Sequence, residues 1–324
     1  MSAPRPHLPP PGNDASYAVF SKERRTTTSD GTTLAWTLLE PPPDVERRMP
    51  FVTASGWSCS DAYWAFIAPA LVAAGHPVVV LDARGHGASG LPRHPGYGAR
   101  GLRAEDITID RIATDLLEVA TDAGVDRFVL MGHSMGVQVA LEVDRLAPDR
   151  VAGLVLIAGS YENPMRTFMG LPVLDLAFPA LEAAATTVPP PLLRLAMQPA
   201  RITAFGAWAA KQARATGPKT RHEDLAPYLR HIAAADVAVM VRTAGAMRRH
   251  SAAGHLRHID RPTLILAADH DTFTPPRCSQ RMFEQIPTAE IQWFEHTGHT
   301  LPIEEPEAIV AHIEEWYQRR VAPS

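Results

Sequence analysis

Short, almost wholly apolar runs alternate along the chain with longer segments whose apolar residues recur every three or four positions. The clearest runs, typical of strands buried on both faces, are residues 51–54, 77–81, 151–158 and 263–268. Segment 108–123 instead carries one apolar stripe of helical spacing, with Thr108 placed as its N-terminal cap. This alternation predicts a parallel sheet covered by helices on both faces.

Four further segments complete the predicted strands. Residues 17–28 and 32–39 form a first hairpin, because Ser29-Asp30-Gly31 between them supplies turn chemistry. Residues 128–131 are continuously apolar, and residues 289–294 mix β-branched and aromatic side chains. The sequence therefore predicts eight strands.

The alternation breaks between residues 161 and 259, where no run indicates a strand. Segments 201–215 and 236–249 have the composition of helices. Most apolar residues of this helical insertion should form its own core, and a minority should line a pocket. Three candidates for that minority are Phe168, Met169 and Leu174.

Residues 132–136 read Gly-His-Ser-Met-Gly and follow directly on the run 128–131. By itself this pattern is as compatible with an ordinary loop as with catalysis. Here a strand precedes it and a segment of helical spacing, 137–146, follows it. That context places the serine on a sharp, strained turn with its hydroxyl exposed, so Ser134 is the candidate nucleophile.

A serine nucleophile needs a base and an acid, and where the serine lies on a strand-turn-helix the chain order is serine, then acid, then histidine. Strand 263–268 ends in Asp269-His270-Asp271, shortly before Pro275. Both aspartates could simply cap the next helix. We favour Asp271 as the acid, with Asp269 second and Glu162 a more distant alternative.

The candidate base follows the last strand. His299 lies in a loop after Gly298, which gives the backbone freedom at that point. His296 competes with it, but its position at the strand end predicts a side chain that points into packing.

In this order and spacing, the motifs resemble those of the α/β-hydrolase family over nearly the whole chain. The family's nucleophile turn matches at Ser134, and its Gly-His motif matches at His299. Its acid motif matches at Asp271 and Pro275. Its Asp-x-Arg-Gly-x-Gly-x-Ser loop matches at Asp82, Arg84, Gly85, Gly87 and Ser89.

The resemblance implies a catalytic triad of Ser134, Asp271 and His299. It also implies an oxyanion hole formed by the backbone N–H groups of Met135 and Trp57. No metal or organic cofactor is required for this chemistry.

Two positions depart from the family pattern. Ser55 stands where the family usually has a histidine before the oxyanion glycine. Val137 replaces a glycine that often closes the nucleophile turn, which should tighten the space beneath the serine.

The fold implied is a mostly parallel eight-stranded sheet with helices on both faces and a helical cap inserted after the sixth strand. The core would comprise residues 17–160 and 260–324, and the cap residues 161–259. Residues 1–16, rich in proline and without an apolar stretch of signal-peptide length, are predicted to be a disordered arm.

Composition narrows the possible partners and location. A net charge of −4 gives no reason to expect nucleic acid. No run reaches the roughly 20 apolar residues of a membrane span. Cys59 and Cys278 do not make a disulfide framework. We therefore expect a cytoplasmic protein.

The function expected is serine hydrolysis of a small-molecule carboxylic ester of moderate hydrophobicity, through an acyl-enzyme. The same triad serves perhydrolases or cofactor-free haloperoxidases, thioesterases and C–C bond hydrolases. A non-catalytic ligand receptor on this scaffold is the alternative from another class of protein. Fold analogy does not choose among them.

Overall fold

The computed structural model describes residues 19–59, 61–91, 102–166, 173–187 and 216–322. Its strands are β1 (Arg24–Thr27), β2 (Thr33–Leu39), β3 (Phe51–Ala54), β4 (Val78–Leu81), β5 (Phe128–His133), β6 (Val151–Ile157), β7 (Thr263–Ala268) and β8 (Ala289–Phe294). Its α-helices are α1 (Ile67–Ala73), α2 (Ile109–Asp122), α3 (Met135–Leu146), α4 (Val173–Thr187), α5 (His222–Ala234), α6 (Val237–Arg249), α7 (Pro276–Gln285), α8 (Leu301–Glu304) and α9 (Pro306–Arg320).

All eight strands join one sheet in the order β1-β2-β4-β3-β5-β6-β7-β8. The pairs β1–β2 and β2–β4 are antiparallel, and the other neighbouring pairs are parallel. Two buried apolar clusters flank the sheet, one including α2 and α3 and the other α1 and α9. The predicted fold class is confirmed, because the central strands are covered on both faces.

The local patterns behave as the sequence predicts in the first half of the chain. The side chain of Thr108 accepts a hydrogen bond from the backbone N–H of Arg111, which caps α2. The apolar stripe of α2 is buried against the sheet. β1 is shorter than the predicted strand 17–28 and covers only its second half.

Helices α4, α5 and α6 lie between β6 and β7, where the insertion is predicted. Asp236 caps α6 through the N–H groups of Ala238 and Val239, so the predicted helix 236–249 is confirmed. The predicted helix 201–215, Phe168 and Met169 lie outside the described residues, as does the side chain of Leu174. In the described part of the chain, no helix has the length and apolarity needed to cross a membrane.

A buried arginine fixes the loop that follows β4. Both Arg84 Nε and Nη2 donate to the Asp115 carboxylate on α2, each at 2.6 Å. Its Nη1 donates to Asp30 in the β1–β2 turn. The next residue, Gly85, has φ of 74°, and a Cβ there would lie 2.7 Å from Val239 Cγ1 on α6. The loop therefore ties the sheet to the helices inserted before β7.

We expect Asp115→Asn to lower the free energy of unfolding by about 2–4 kcal/mol, because it leaves the buried Arg84 charge without its main counter-charge. Urea denaturation followed by circular dichroism measures the change. The control is Glu118→Gln, which removes a partly exposed carboxylate from the same helix. Equal losses in the two variants would contradict this account.

Candidate active site

Ser134 occupies a strained turn between β5 and α3, with φ of 58° and ψ of −116°. Glycines on either side permit this turn by allowing backbones to approach. A Cβ at Gly136 would overlap the carbonyl oxygen of Ala54 at the end of β3, and one at Gly132 would overlap the carbonyl oxygen of Gly136. Both positions therefore exclude any larger residue, and strain of this kind in a non-glycine residue is commonly found at functional sites.

Val137, which replaces a glycine often found in the family, is accommodated by a glycine elsewhere in the chain. A Cβ at Gly159, just beyond β6, would overlap the Val137 side chain and lie 2.8 Å from the carbonyl oxygen of Ser134. The valine thus fills space that a side chain at position 159 would occupy. Sequence reasoning missed Gly159, and its only local signal is a glycine at the end of a buried strand.

The structure brings Ser134, Asp271 and His299 together. His299 Nε2 lies 2.9 Å from Ser134 Oγ, and His299 Nδ1 lies 2.8 Å from Asp271 Oδ2. The three residues follow β5, β7 and β8, whose carboxyl ends meet at one edge of the sheet. All three residues are buried, Asp271 most completely.

Asp271 is held rigidly beside the imidazole. Its Oδ1 accepts the backbone N–H groups of Phe273 and Thr274, at 2.8 and 2.9 Å. Its Oδ2, which faces His299, also lies 2.8 Å from Thr274 Oγ1. These bonds fix the orientation of the carboxylate before any substrate arrives.

The other acid candidates have different partners. Asp269 accepts the backbone N–H groups of His296 and Thr297, at 3.0 and 3.1 Å, and so braces the loop after β8. Glu162 interacts with Tyr161. Of the acid candidates, Asp271 is the one bonded to the His299 imidazole.

The prediction that His296 points into packing is wrong, because its side chain is exposed. β8 ends at Phe294, and His296 has left-handed backbone geometry, with φ of 57°. The chain therefore turns before His296, and the strand alternation that would have directed its side chain inward no longer applies.

His133, the variable residue before the serine, supports the loop of His299. Its Nε2 lies 2.9 Å from the His299 carbonyl oxygen, which can only accept, so Nε2 carries the hydrogen. Burial, followed by the proximity of His299, lowers the pKa of His133 to about 3. His133 is therefore a neutral, fixed donor, and its ring also stacks on Tyr63 with centroids 4.7 Å apart. Its role depends on contacts distant in sequence, and the local pattern does not indicate it.

The loop after β3 lies against the candidate nucleophile. A Cβ at Gly56 would come 3.0 Å from Ser134 Cβ. The indole N–H of Trp57 donates to the carbonyl oxygen of Met240 on α6, at 2.8 Å. Ser55, which replaces the family's usual histidine, accepts the indole N–H of Trp64 at 2.9 Å. The substitution at position 55 therefore keeps the loop anchored.

Met135 is the first residue of α3, so its backbone N–H has no intrahelical partner. Such N–H groups at a helix start favour negative charge beside them. The predicted oxyanion donors, at Met135 and Trp57, thus belong to two segments that meet at Ser134.

The buried carboxylate of Glu304 joins the loop of His299 to the inserted segment. Its Oε1 accepts the backbone N–H groups of Gly298 and Gly217, each at 3.1 Å, and the Thr300 hydroxyl at 2.7 Å. The two glycines are in close contact, since a Cβ on either would lie 2.5 Å from the backbone nitrogen of the other. The residue before His299 is therefore fixed partly by the insertion.

We expect Glu304→Gln to lower kcat roughly 10- to 100-fold with a smaller effect on KM, because displacing the candidate base by about 1 Å would have a cost of this size. The control is Glu305→Gln, which removes only a surface ion pair between Lys219 and the neighbouring carboxylate. Steady-state kinetics on a chromogenic ester compares the two. Indistinguishable variants would show that the Glu304 bonds do not position His299.

The chain belongs to the alpha/beta hydrolase family, whose model matches residues 51–312. The match extends from β3 into α9 and includes Ser134, Asp271 and His299. The resemblance inferred from the motifs is thereby confirmed, and the chain is a hydrolase of the α/β type.

Similar proteins carry several hydrolase names. RutD of Variovorax paradoxus strain S110, provisionally named a carbamate hydrolase, is 28% identical over 274 residues, which is 83% of this chain and 92% of RutD. A hydrolase from Pseudomonas aeruginosa PA01 shares 23% identity at a TM-score of 0.70, covering 90% of this chain and 97% of the other. A thermophilic esterase from Thermogutta terrifontis shares 22% identity at a TM-score of 0.68, covering 91% and 98%. At these identities the two solved structures establish the fold alone.

Proposed function

We propose that the protein is a serine hydrolase that cleaves a small-molecule carboxylic ester of moderate hydrophobicity through an acyl-enzyme. One observation carries the proposal: a continuous hydrogen-bond chain from Ser134 Oγ through His299 to Asp271, placed at a strained nucleophile turn. This arrangement is the one that acyl transfer by serine requires.

In the first step Ser134 Oγ attacks the ester carbonyl while His299 Nε2 takes the hydroxyl proton. Asp271 holds the imidazole in the tautomer with hydrogen on Nδ1 and stabilises the imidazolium that forms. The C–O bond to the alcohol then breaks, and His299 returns the proton to the departing oxygen. In the second step water attacks the acyl-enzyme, assisted by the same histidine, and releases the acid and the free serine.

The oxyanion that forms in both steps would be bound by the N–H groups of Met135 and Trp57. Loss of one such donor typically costs on the order of 100-fold in rate. The close approach of Gly56 to Ser134 supports this role, because it brings the loop of Trp57 to the nucleophile.

Apolar side chains beside the candidate triad support a substrate of moderate hydrophobicity. The Phe273 ring stacks on His299 with centroids 4.9 Å apart. Trp57 packs against a small cluster that includes Phe178 and Val241, from α4 and α6. An ester with an apolar acyl or alcohol group would have favourable contacts there.

The proposal also divides the chain into an α/β-hydrolase core and a helical cap at residues 161–259.

The substrate class is tested by a panel of activated compounds. We expect p-nitrophenyl esters of short to medium acyl length to be hydrolysed faster than matched thioesters and carbamates. We also expect the rate of ester hydrolysis to exceed the rate of peroxide-dependent halogenation. The carbamate arm is included because of the name given to RutD. Preferential turnover of a carbamate or thioester would replace the ester assignment, and binding without any turnover would favour a receptor.

We expect Ser134→Ala to abolish ester turnover without disturbing the fold, because the hydroxyl carries chemistry rather than packing. A fluorophosphonate probe should label the native chain at Ser134, as identified by mass spectrometry of the modified peptide. The control Ser251→Ala, at an exposed serine, should label and turn over normally. Labelling at another residue would refute the assignment of Ser134.

We expect Asp271→Asn to lower kcat by about 10⁴-fold, because an amide beside Nδ1 favours the wrong imidazole tautomer. Asp269→Asn should cause a much smaller loss, since its carboxylate accepts backbone N–H groups rather than the imidazole. Steady-state kinetics on the preferred ester, with circular dichroism to check folding, measures both. A larger loss for Asp269→Asn would identify that residue as the acid.

A further inference from the structure

A second cluster of ionisable side chains lies on the surface, outside the proposed triad. It consists of Asp269, His270 and His296, and one possible ligand atom from each lies within 4.8 Å of the other two. His270 Nε2 is 3.9 Å from Asp269 Oδ2, and the two imidazole rings have centroids 5.8 Å apart. Both histidines are exposed, so a solute can reach them.

The backbones that carry these three side chains are fixed to one another. Just past β7, the N–H of Asp269 donates to the carbonyl of Phe294, the last residue of β8, at 3.2 Å. The N–H of His270 donates to the Thr297 carbonyl at 3.0 Å. In return, the N–H groups of His296 and Thr297 donate to the Asp269 carboxylate. A ligand binding here would have to order side chains only, and this preorganisation favours binding.

His296 adopts left-handed backbone geometry, which is uncommon in residues other than glycine. Its φ of 57° lies in the left-handed region, where glycine or asparagine costs less. Such a conformation in a non-glycine residue suggests a constraint that the side chain satisfies. Here the turn brings an imidazole beside a second imidazole and a carboxylate.

We propose that Asp269, His270 and His296 form a surface site for a zinc ion or a similar borderline metal ion, with water completing its coordination. Two imidazole nitrogens and a carboxylate oxygen suit Zn²⁺, Co²⁺ or Ni²⁺ better than Mg²⁺ or Ca²⁺, which prefer oxygen ligands. Zinc holds such ligands at about 2.0–2.2 Å, so tetrahedral ligands lie roughly 3.4 Å apart. The ligand atoms lie within 4.8 Å of one another, and rotation of the exposed imidazole side chains would bring them to the shorter separation that zinc needs.

This site is separate from the proposed ester hydrolysis, which needs no metal. Its ligands nevertheless lie on the two loops that carry Asp271 and His299. An ion bound to both loops would cross-link the ends of β7 and β8. It should therefore stabilise the folded chain by mass action, since the unfolded chain lacks the assembled site.

The test uses the untagged full-length chain with ZnCl₂, measured by isothermal titration calorimetry and by thermal denaturation. We expect one ion per chain and a rise in Tm with zinc concentration. His270→Gln and His296→Asn should each weaken binding by about 10-fold or more, because each removes one of three protein ligands. Asparagine is used at position 296 because it tolerates left-handed backbone.

The control is His258→Gln, an exposed histidine outside the cluster, which should bind zinc as the native chain does. Replacing zinc with Co²⁺ adds visible d–d absorption that is stronger when protein ligands hold the ion in four- or five-coordinate geometry than in the aqua ion, and this increase should be lost in both ligand variants. Measurements repeated on Ser134→Ala should be unchanged, so the result does not depend on the proposed activity. Equal zinc affinity in all the histidine variants, or no saturable binding by the native chain, would overturn the proposal.

Discussion

The candidate site depends on one close contact between backbones, that of Gly136 with the carbonyl of Ala54. The contact sets the start of α3 directly against the end of β3, and no side chain fits between them. Ser134 can therefore occupy its strained turn beside the loop of Gly56 and Trp57. A nucleophile and the donors proposed for its oxyanion need this proximity, because charge in the transition state develops within a few ångströms of both.

The position of His299 is set by hydrogen bonds from three directions. Asp271 holds its Nδ1, His133 holds its carbonyl oxygen, and Glu304 holds the N–H of the residue before it. These supports come from different parts of the chain and are all buried. A buried polar group is costly unless it is bonded, so each support also resists displacement of the loop. The imidazole is thus preorganised by the fold rather than ordered by substrate.

Residues whose role follows from a local pattern could be predicted, and residues whose role follows from a distant contact could not. Ser134 lies in a five-residue motif between a predicted strand and helix, and the eight strands follow from apolar runs, one turn sequence and one segment of β-branched and aromatic residues. Gly159 and His133 act through contacts with segments far away in sequence, and Glu304 joins a local loop to the distant Gly217, so their spacing carries no signal. His296 departs from the prediction because β8 ends at Phe294 and the chain turns before position 296, so strand alternation no longer sets the direction of its side chain.

The hydrogen bond from the Trp57 indole to Met240 has a consequence for how such enzymes diversify. It makes the position of Trp57, in the proposed oxyanion loop, depend on α6, within the segment inserted between β6 and β7. Exchange of that segment for another would remove the acceptor of the Trp57 indole, and Trp57 carries one of the proposed oxyanion donors. An exchanged segment would therefore keep the anchor of Trp57 only if it supplied an acceptor for the same indole.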